Sequence, residues 1–239
     1  MIKTERIAKP LVLADNAGKW TDEYVAAREA LSIAVTAEQK RLATKAKDAA
    51  ERKYNHAQVR SVLRTMFYGG KCAYCESHIS HISYPQIEHY KPKDNFPKLC
   101  FEWDNLLLGC GVCNGKEYKG TKFPMASDGG FLINPCEDDP EDFFDFVCEP
   151  DENSEEGFIA VVRPKKSRGE ITEHTLGLNR IPLLRKRTQT LVPYYLSLAQ
   201  LAGEGDEKSK DILQRFCHPR FEYSAFAKWL WRKFVDKTL

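Results

Sequence analysis

Apolar residues follow a helical period in two stretches of the first half of the chain. One stretch begins at Thr36, where Thr36 and Gln39 form a capping-box pair that predicts the start of a helix. The other follows Asn55, which we expect to cap a second helix that ends at Gly69 and Gly70. Both helices are predicted to pack their apolar faces against a central module. These faces consist of Leu42, Ala46, Ala49 and Ala50 in the first helix and of Val59, Val62, Leu63, Met66 and Phe67 in the second.

The pattern outside these two helices is less regular at first and then becomes helical again. The first twenty residues, ending at Trp20, show no periodicity and predict an irregular arm docked on the body of the protein or on a partner. Residues 131–135 and 158–162 are short apolar runs that predict strands. From Ile171 onward the pattern is helical, with a kink expected at Pro193. Gly203 and Gly205 predict a loop in this region. The last apolar face of the chain consists of Phe226, Trp229, Leu230 and Phe234.

Two C-x-x-C pairs enclose the centre of the chain. The first pair is Cys72 and Cys75, the second is Cys110 and Cys113, and 34 residues separate the pairs. Each pair turns two sulfurs towards one point, so four thiolates in this arrangement suit one tetrahedral zinc with Zn–S distances of about 2.3 Å. Zinc bound by four thiolates has no open coordination position and is therefore structural. The sequence predicts a four-cysteine zinc site whose insert is long enough to contain a second site.

Length and composition limit the kind of protein that contains this module. A chain of 239 residues with 42% hydrophobic residues can bury one substantial core, so we expect one compact unit rather than two independent domains. No apolar run is long enough to span a membrane, and the N-terminus lacks the apolar segment of a signal peptide. We therefore expect a cytoplasmic protein with reduced cysteines. The expected ordinary thiols are Cys100, Cys136, Cys148 and Cys217.

Charge is distributed unevenly along the sequence. The chain has 36 basic and 34 acidic residues, but residues 137–156 contain eleven acids and no Lys or Arg. The remainder is therefore strongly basic and would attract a polyanion such as nucleic acid. The acidic tract is either a solvated loop or a segment that docks on a partner or on the protein's own nucleic-acid groove. The second interpretation depends on the apolar residues inside the tract, Phe143, Phe144, Phe146 and Val147.

Four polar residues in and just behind the zinc insert occur in a specific order. Glu88 and His89 lie between the cysteine pairs, Asn105 follows them, and Asn114 comes directly after Cys113. Together with the C-x-x-C pairs, this order resembles the HNH endonuclease motif. The resemblance implies a ββα-metal fold, in which two strands and a helix hold one catalytic divalent ion beside a structural zinc. It also implies that His89 is the general base, that Glu88 and Asn114 bind catalytic Mg²⁺ or Mn²⁺, and that Asn105 orients the base.

These roles also agree with the chemistry that phosphodiester hydrolysis requires. An imidazole with an ordinary pKa of about 6.5 can accept a proton from water near neutral pH. A carboxylate and an amide oxygen suit a Mg²⁺-type ion, which stabilises negative charge on the phosphate and the leaving oxygen. His78 and His81 are alternative zinc ligands close behind the first cysteine pair, but four cysteines explain the site without them. The histidines expected to be structural are His56, His174 and His218.

Lysines near the four polar residues are candidates for contacts to nucleic-acid phosphate. Many HNH proteins have a lysine three positions after the last asparagine of the motif, whereas this chain has Glu117 there. More than one lysine therefore remains a candidate. These candidates are Lys91, Lys93, Lys116 and Lys119.

The resemblance extends over roughly residues 55 to 180 as a series of matched motifs. Segments such as K-C-A-Y-C-E-S, I-E-H-Y-K-P-K and T-L-G-L-N-R are similar to those of the HNH proteins encoded beside an ABC-type ATPase in Septu and retron-linked anti-phage systems. This resemblance implies an effector nuclease, with DNA as the expected substrate, that works with an ATPase partner. Two alternatives remain open: a zinc-dependent nucleic-acid-binding module without catalysis, and a protein-interaction adaptor.

The predicted fold is α+β and mostly helical, with a central ββα-metal module between helical elaborations. The N-terminal arm and first helices occupy residues 1–67, and the nuclease module occupies residues 68–135. Residues 136–239 contain the acidic tract, a short strand and the C-terminal helices.

Overall fold

Helices surround two short β-hairpins in the computed structural model, which describes residues 1–238. The first hairpin pairs β1 (Gln86–His89) with β2 (Leu106–Gly109), and the second pairs β3 (Phe144–Pro150) with β4 (Phe158–Pro164). Each is a separate antiparallel sheet, so the predicted α+β class is confirmed, while Leu239 lies outside the described residues. In that part of the chain the α-helices are α1 (Leu11–Ile33), α2 (Ala37–Glu51), α3 (Ala57–Met66), α4 (Ser167–Leu176), α5 (Ile181–Thr190), α6 (Ser197–Gly203), α7 (Glu207–Phe216) and α8 (Ser224–Trp231).

The N-terminal region is more ordered than the irregular arm that the sequence predicted. Residues 1–10 are irregular and dock on the body, but α1 begins directly after Pro10 and contains Trp20. The fully buried side of this helix is one narrow stripe, formed by Leu13, Ala17 and Tyr24. The other apolar residues of α1 are exposed or half-buried. Because apolar residues lie on several sides of the helix, the sequence shows no clear helical period there.

The start of α2 was predicted correctly, but its buried face was not. Thr36 Oγ1 accepts a hydrogen bond from the backbone N–H of Gln39 at 3.2 Å, and Gln39 Oε1 accepts one from the backbone N–H of Thr36 at 3.0 Å. The residues that α2 buries are Ala43 and Ala50, whereas Leu42 is 52% exposed. Small side chains allow α2 to lie close against α1, and the larger Leu42 is left on the solvent side.

The cap of α3 is His56 rather than the predicted Asn55. His56 Nδ1 accepts a hydrogen bond from the backbone N–H of Gln58 at 3.2 Å. Asn55 instead ends a 3₁₀ turn, and its Oδ1 accepts a hydrogen bond from Arg60 at 2.9 Å. The apolar face of the helix is confirmed, and Gly69 has a φ of +82° in the turn that follows. The buried residues of that face are Val59, Leu63, Met66 and Phe67.

Two predictions about the second half of the chain need correction. Residues 131–135 form no strand, because their backbone groups bond to side chains: Ile133 N–H donates to Thr172 Oγ1 at 2.9 Å. The acidic tract is not a solvated loop throughout, because β3 lies within it and pairs with β4 along its whole length. Phe144 and Phe146 are each 1% exposed and therefore belong to the core, where they are not available for docking.

The C-terminal helices agree with the predicted pattern. The chain passes through a π-helical turn around Pro193 and leaves α6 at Gly203, and Gly205 follows with a φ of +105°. Phe226 in α8 packs edge-on against Phe146 of β3, with 5.4 Å between ring centres. None of the helices in residues 1–238 combines the length and the low polarity needed to cross a bilayer.

Candidate functional site

The sulfurs of the two C-x-x-C pairs converge next to the first hairpin. All four lie within 4.8 Å of one another, and the Sγ atoms of Cys75 and Cys110 are 4.0 Å apart. Sulfurs around one tetrahedral zinc are about 3.8 Å apart, so the cluster can hold a metal ion such as zinc with a small contraction. The alternative ligands His78 and His81 lie outside this cluster. The four sulfurs belong to Cys72, Cys75, Cys110 and Cys113.

Hydrogen-bond donors point at these sulfurs. The backbone N–H of Cys110 donates to Cys72 Sγ at 3.4 Å, and that of Cys113 donates to Cys110 Sγ at 3.3 Å. Arg180, from the turn after α4, donates through Nη2 to Cys113 Sγ at 3.5 Å. Donors and positive charge favour the thiolate form, which is the form that binds metal. The sequence pattern gave no sign that Arg180 would reach this cluster.

The first hairpin places Glu88 and His89 beside a small cleft. In the register of this hairpin Glu88 lies opposite Leu107 and His89 lies opposite Leu106. Both polar side chains are buried, with Glu88 2% and His89 6% exposed. The cleft has a volume of about 80 Å³, and Asn114 also lines it. The fold therefore brings Glu88, His89 and Asn114 to one place, although Asn114 is far from the other two in the sequence.

Hydrogen bonding fixes the tautomer of His89. Its Nε2 lies 2.9 Å from the carbonyl oxygen of Cys100. A carbonyl oxygen only accepts, so Nε2 carries the proton and Nδ1 is the basic nitrogen. Burial lowers the pKa of His89 to about 3, so the ring is neutral at pH 7. The ring of Tyr54 lies edge-on against the imidazole with 4.6 Å between ring centres, a contact that no sequence pattern indicates.

Asn105 holds the backbone on both sides of the imidazole. Its Oδ1 accepts from the backbone N–H of Lys91 at 2.7 Å, and its Nδ2 donates to the carbonyl oxygens of Lys91 and Leu99, each at 3.0 Å. Lys91 follows His89 by two positions, and Leu99 directly precedes Cys100. Because Asn105 bonds to this backbone and not to the ring, any influence on the orientation of His89 passes through the main chain.

Glu88 faces Lys119, a buried lysine that is one of the four candidates for contact with phosphate. Lys119 is fully buried, forms an ion pair with Glu88 Oε1 and donates to the carbonyl oxygen of His89 at 2.8 Å. Tyr74 also donates to Glu88 Oε1, at 3.2 Å. Burial raises the pKa of Glu88, although the ammonium of Lys119 opposes this shift. Lys119 is therefore committed to a buried carboxylate in this structure and, unlike the other three lysine candidates, is not accessible to a phosphate.

Glu88 and Asn114 flank the same glycine. A Cβ added to Gly109 would lie 3.2 Å from Glu88 Cβ and 3.6 Å from Asn114 Cβ. Asn114 Nδ2 donates to Gln86 Oε1 at 2.9 Å, which orients the amide. Within residues 1–238, Oε2 of Glu88 and Oδ1 of Asn114 make no hydrogen bond. Two oxygen donors of this kind beside one cleft are suitable ligands for Mg²⁺ or Mn²⁺.

The helix of a ββα-metal module is missing after β2. Residues 111–121 form a series of turns instead of a regular helix. Gly115 lies at a crowded point of these turns, since a Cβ there would be 2.8 Å from the carbonyl oxygen of Gly111. Gly120 adopts a φ of +44°, in the left-handed region. The two strands of the predicted module are present, but the ββα-metal module as a whole is not confirmed.

The remaining lysine candidates differ in how accessible they are. Lys116 is exposed, whereas Lys91 and Lys93 are half-buried. Lys93 lies 3.4 Å from a carboxylate oxygen of Glu51 and 5.9 Å from the ring centre of Tyr54. Lys116 is thus the candidate with the most freedom to reach a phosphate.

Comparison with known proteins connects the chain to the Septu proteins, although no protein-family model matches it. It is 32% identical over 203 residues to Septu protein PtuB of Bacillus mycoides (strain KBAB4), and this match covers 72% of this chain and 65% of that protein. It is 35% identical over 173 residues to Septu protein PtuB of Bacillus thuringiensis, and this match covers 65% of this chain and 61% of that protein. The matches therefore span less than two thirds of the length of either relative.

A third similarity involves a different Septu protein. Over 168 residues the chain is 28% identical to Septu protein PtuA of Bacillus mycoides (strain KBAB4), and this match covers 59% of this chain and 22% of that protein. The similarity to Septu proteins that the sequence motifs indicated is confirmed. The names of these relatives mention neither a nuclease nor an ATPase.

Proposed function

We propose that this chain is a metal-dependent HNH endonuclease that hydrolyses phosphodiester bonds of nucleic acid, with DNA as the expected substrate. The proposal is supported by the cleft in which Glu88, Asn114 and a neutral His89 come together. The tautomer of His89 is the decisive feature, because it leaves Nδ1 as a base while Nε2 is held by the Cys100 carbonyl. An imidazole in this state is unprotonated at neutral pH and can accept a proton from water. Burial lowers its pKa to about 3, below the ordinary value expected from the sequence, so it is a weaker base than an exposed histidine.

Each residue of the cleft has a separate task in this mechanism. His89 Nδ1 accepts the proton of the attacking water, and the Cys100 carbonyl stabilises the imidazolium that results. Glu88 Oε2 and Asn114 Oδ1 are the atoms that would hold a divalent cation, which when bound stabilises charge on the phosphate and the leaving oxygen. Asn105 keeps the main chain around His89 in position through its three backbone hydrogen bonds. Zinc in the four-cysteine cluster would have a structural role.

The biological setting that we propose is anti-phage defence. Similarity to two proteins named Septu protein PtuB supports a role as a component of a Septu system. The match to a segment of Septu protein PtuA supports the same system. An ATPase partner is a further part of the proposal, and it rests on the resemblance of the sequence motifs alone.

A zinc-dependent nucleic-acid-binding module without catalysis is the second candidate. It is favoured by the ion pair between Lys119 and Glu88, which already neutralises the carboxylate assigned to the catalytic metal. Metal content separates the two candidates. The binding module should contain one tight metal ion in the cysteine cluster and no second divalent site, whereas the nuclease should need added Mg²⁺ or Mn²⁺ for activity.

Cleavage of plasmid, linear duplex, single-stranded DNA and RNA, with and without Mg²⁺ or Mn²⁺, tests the proposal. His89→Ala should lower the rate by at least about 100-fold, because proton transfer by a positioned side chain contributes about 10²–10⁴-fold. Zinc content should be unchanged. His81→Ala is the matched control, since His81 is exposed and precedes the same strand. Equal turnover by wild type and His89→Ala would remove His89 from the mechanism, and a wild type that cuts none of these substrates would favour the binding module.

A further inference from the structure

Residues 175–180, with the sequence T-L-G-L-N-R, have no part in the cleft but reach the cysteine cluster from outside. They end α4 and turn at Gly177, which has a φ of +55°. Arg180 Nη1 donates to the carbonyl oxygens of Leu176 and Gly177, at 3.1 and 3.0 Å. These bonds fix one edge of the planar guanidinium. The other edge is thereby directed at Cys113 Sγ, which lies 3.5 Å from Nη2.

The same segment packs against the turn that follows the second cysteine pair. The guanidinium carbon of Arg180 lies 5.0 Å from the ring centre of Tyr118. Gly177 leaves no room for a side chain, because a Cβ there would lie 2.1 Å from Tyr118 Cε1. Tyr118 precedes Lys119, whose backbone N–H donates to the Cys113 carbonyl at 3.2 Å and whose ammonium pairs with Glu88. Contact with Tyr118 therefore restrains a turn that joins the cysteine cluster to the cleft.

Electrostatics gives the Arg180 contact a specific purpose. Four thiolates around one Zn²⁺ have a net charge of about −2, which is costly to hold in a buried site without nearby donors or positive charge. In residues 1–238, Arg180 brings a positive charge to these sulfurs through a hydrogen bond. The neutral donors around them include the backbone N–H groups of Cys110 and Cys113 and the side chain of Ser77, which bonds to Cys75. Lys71, next to Cys72, does not serve this purpose, because its ammonium is already paired with Glu76 at 3.1 Å.

We propose that Arg180 is a positioning residue for the metal cluster, which offsets thiolate charge at Cys113 and fastens residues 175–180 to the turn that contains Tyr118. Zinc retention by the N-terminal half of the protein then depends on a residue of the C-terminal half. This inference rests on metal in the cysteine cluster and does not depend on cleavage. It can therefore be true whether the cleft is catalytic or only binds nucleic acid.

The test is the rate at which the full-length protein releases zinc to an excess of chelator, measured with a colorimetric zinc indicator. Arg180→Met keeps an apolar stem of similar length but removes the charge, and we expect about tenfold faster release, as for other residues that support metal ligands. Arg180→Lys keeps the charge with fewer donors, so its release rate should lie between those of wild type and Arg180→Met. The control is Arg185→Met, which removes an exposed arginine from α5 and should match wild type.

Two outcomes would overturn the proposal. If Arg180→Met releases zinc at the wild-type rate, the contact with Cys113 has no role in metal retention. If Arg180→Lys and Arg180→Met release zinc equally fast, the loss comes from disturbed packing and not from charge. Should Arg180→Met fail to fold, Arg180→Gln takes its place, because an amide donates a hydrogen bond without a positive charge. A nuclease defect with unchanged zinc release would likewise overturn this inference, because the effect would then concern the cleft and not the metal.

Discussion

The two β-hairpins of this protein have the same antiparallel pairing but bury different kinds of side chain. The second hairpin alternates buried and half-buried positions, and its buried face is made of apolar residues that need only close packing. The first hairpin is buried almost throughout and includes Glu88 and His89. A buried carboxylate or imidazole requires specific partners, which Lys119 and the Cys100 carbonyl supply. The first hairpin is thus organised around polar contacts and lies beside a cysteine cluster that can hold metal, and the second is organised around a hydrophobic core.

The strongest test of this contrast compares one cysteine from each hairpin region. Cys113→Ser should lose zinc and unfold the region around β1 and β2, because the binding free energy of a structural zinc is largely folding free energy. Cys148→Ser changes a buried thiol of β3 and should leave the zinc content unchanged. Elemental analysis and thermal unfolding measure both effects. Stoichiometric zinc in Cys113→Ser with an unchanged melting curve would show that the four-cysteine site is wrong.

A smaller effect is expected when the core of the second hairpin is truncated. Phe146 is 1% exposed and packs against Phe226, so Phe146→Ala should lower the free energy of unfolding by about 3–5 kcal/mol. Zinc content should not change, provided the variant is studied where it remains folded. Phe131→Ala is the matched control, because Phe131 is 41% exposed and its truncation should lower the free energy of unfolding much less. Urea unfolding at neutral pH measures the difference, and similar costs for the two variants would contradict the assignment of β3 to the core.

The same contrast explains why the sequence predicted β4 of the second hairpin but missed β3. The C-x-x-C pairs and the order of Glu88, His89, Asn105 and Asn114 are signals of residue type and spacing, and they identified the first hairpin region without knowledge of its pairing. β3 was missed because its outward positions include Asp145 and Glu149, so that the acidic charge concealed a period-two apolar pattern. A count of charge over residues 137–156 averages the two faces of β3, of which one is buried and the other half-buried.

Site residues that act through long-range contacts were beyond sequence reasoning. Lys119 was a candidate for contact with phosphate, yet it is buried with its ammonium paired to Glu88, 31 positions earlier. Tyr54, from a segment before the first hairpin, contacts His89, and Arg180, from a segment well after it, contacts Cys113. No local pattern specifies such pairings, because they depend on how helices pack around the hairpin. The sequence identified Glu88, His89 and Asn114, which the fold brings to one cleft, but not the side chains that surround them.

The pH dependence of stability provides a smaller and more selective test of the first hairpin. In the unfolded chain His89 should titrate near its ordinary pKa of about 6.5, whereas burial lowers its pKa in the folded protein to about 3. Above about pH 6.5 both states are neutral, so His89 contributes no pH dependence. Below that value the unfolded chain binds a proton that the folded protein does not. As the pH is lowered below about 6.5, the free energy of unfolding should therefore decrease by up to about 1.4 kcal/mol per pH unit. The decrease ends where the imidazole of the folded protein is itself protonated.

His89→Gln isolates this contribution. Its amide nitrogen can still donate towards the Cys100 carbonyl, but the side chain does not titrate. Denaturant unfolding from pH 7 to pH 4 should show a steeper loss of stability for wild type than for His89→Gln. Loss of zinc at low pH affects both proteins, so the difference between their slopes reports the imidazole. Parallel slopes would mean that His89 has the same pKa in the folded protein as in the unfolded chain.

The smallest expected effect concerns the acids around the second hairpin. Asp138 accepts two hydrogen bonds from Arg168, at 3.0 and 2.7 Å, and Arg168 also donates to the carbonyl oxygens of Phe131 and Leu132. Asp138→Asn weakens this partly exposed ion pair and should cost about 1 kcal/mol of unfolding free energy. Glu152→Gln removes an exposed acid from the hairpin tip and should stay within about 0.5 kcal/mol of wild type. Equal costs would indicate that the acidic tract acts through its overall charge.

This last comparison also determines how a regulatory role of the acidic tract can be tested. Glu141 contacts Arg232 at 2.7 Å, and Asp139 Oδ1 accepts from the backbone N–H of Glu141 at 3.0 Å. Neutralising these acids together with Asp138 would therefore remove structural contacts as well as charge. A change in cleavage or partner binding in such a variant would not by itself indicate docking or self-restraint. Exposed acids of the hairpin tip, such as Glu152 and Glu155, should be neutralised first, since their removal changes the charge and leaves the paired contacts intact. If cleavage and partner binding at low ionic strength respond to Asp138→Asn but not to these tip variants, the tract acts through its internal contacts.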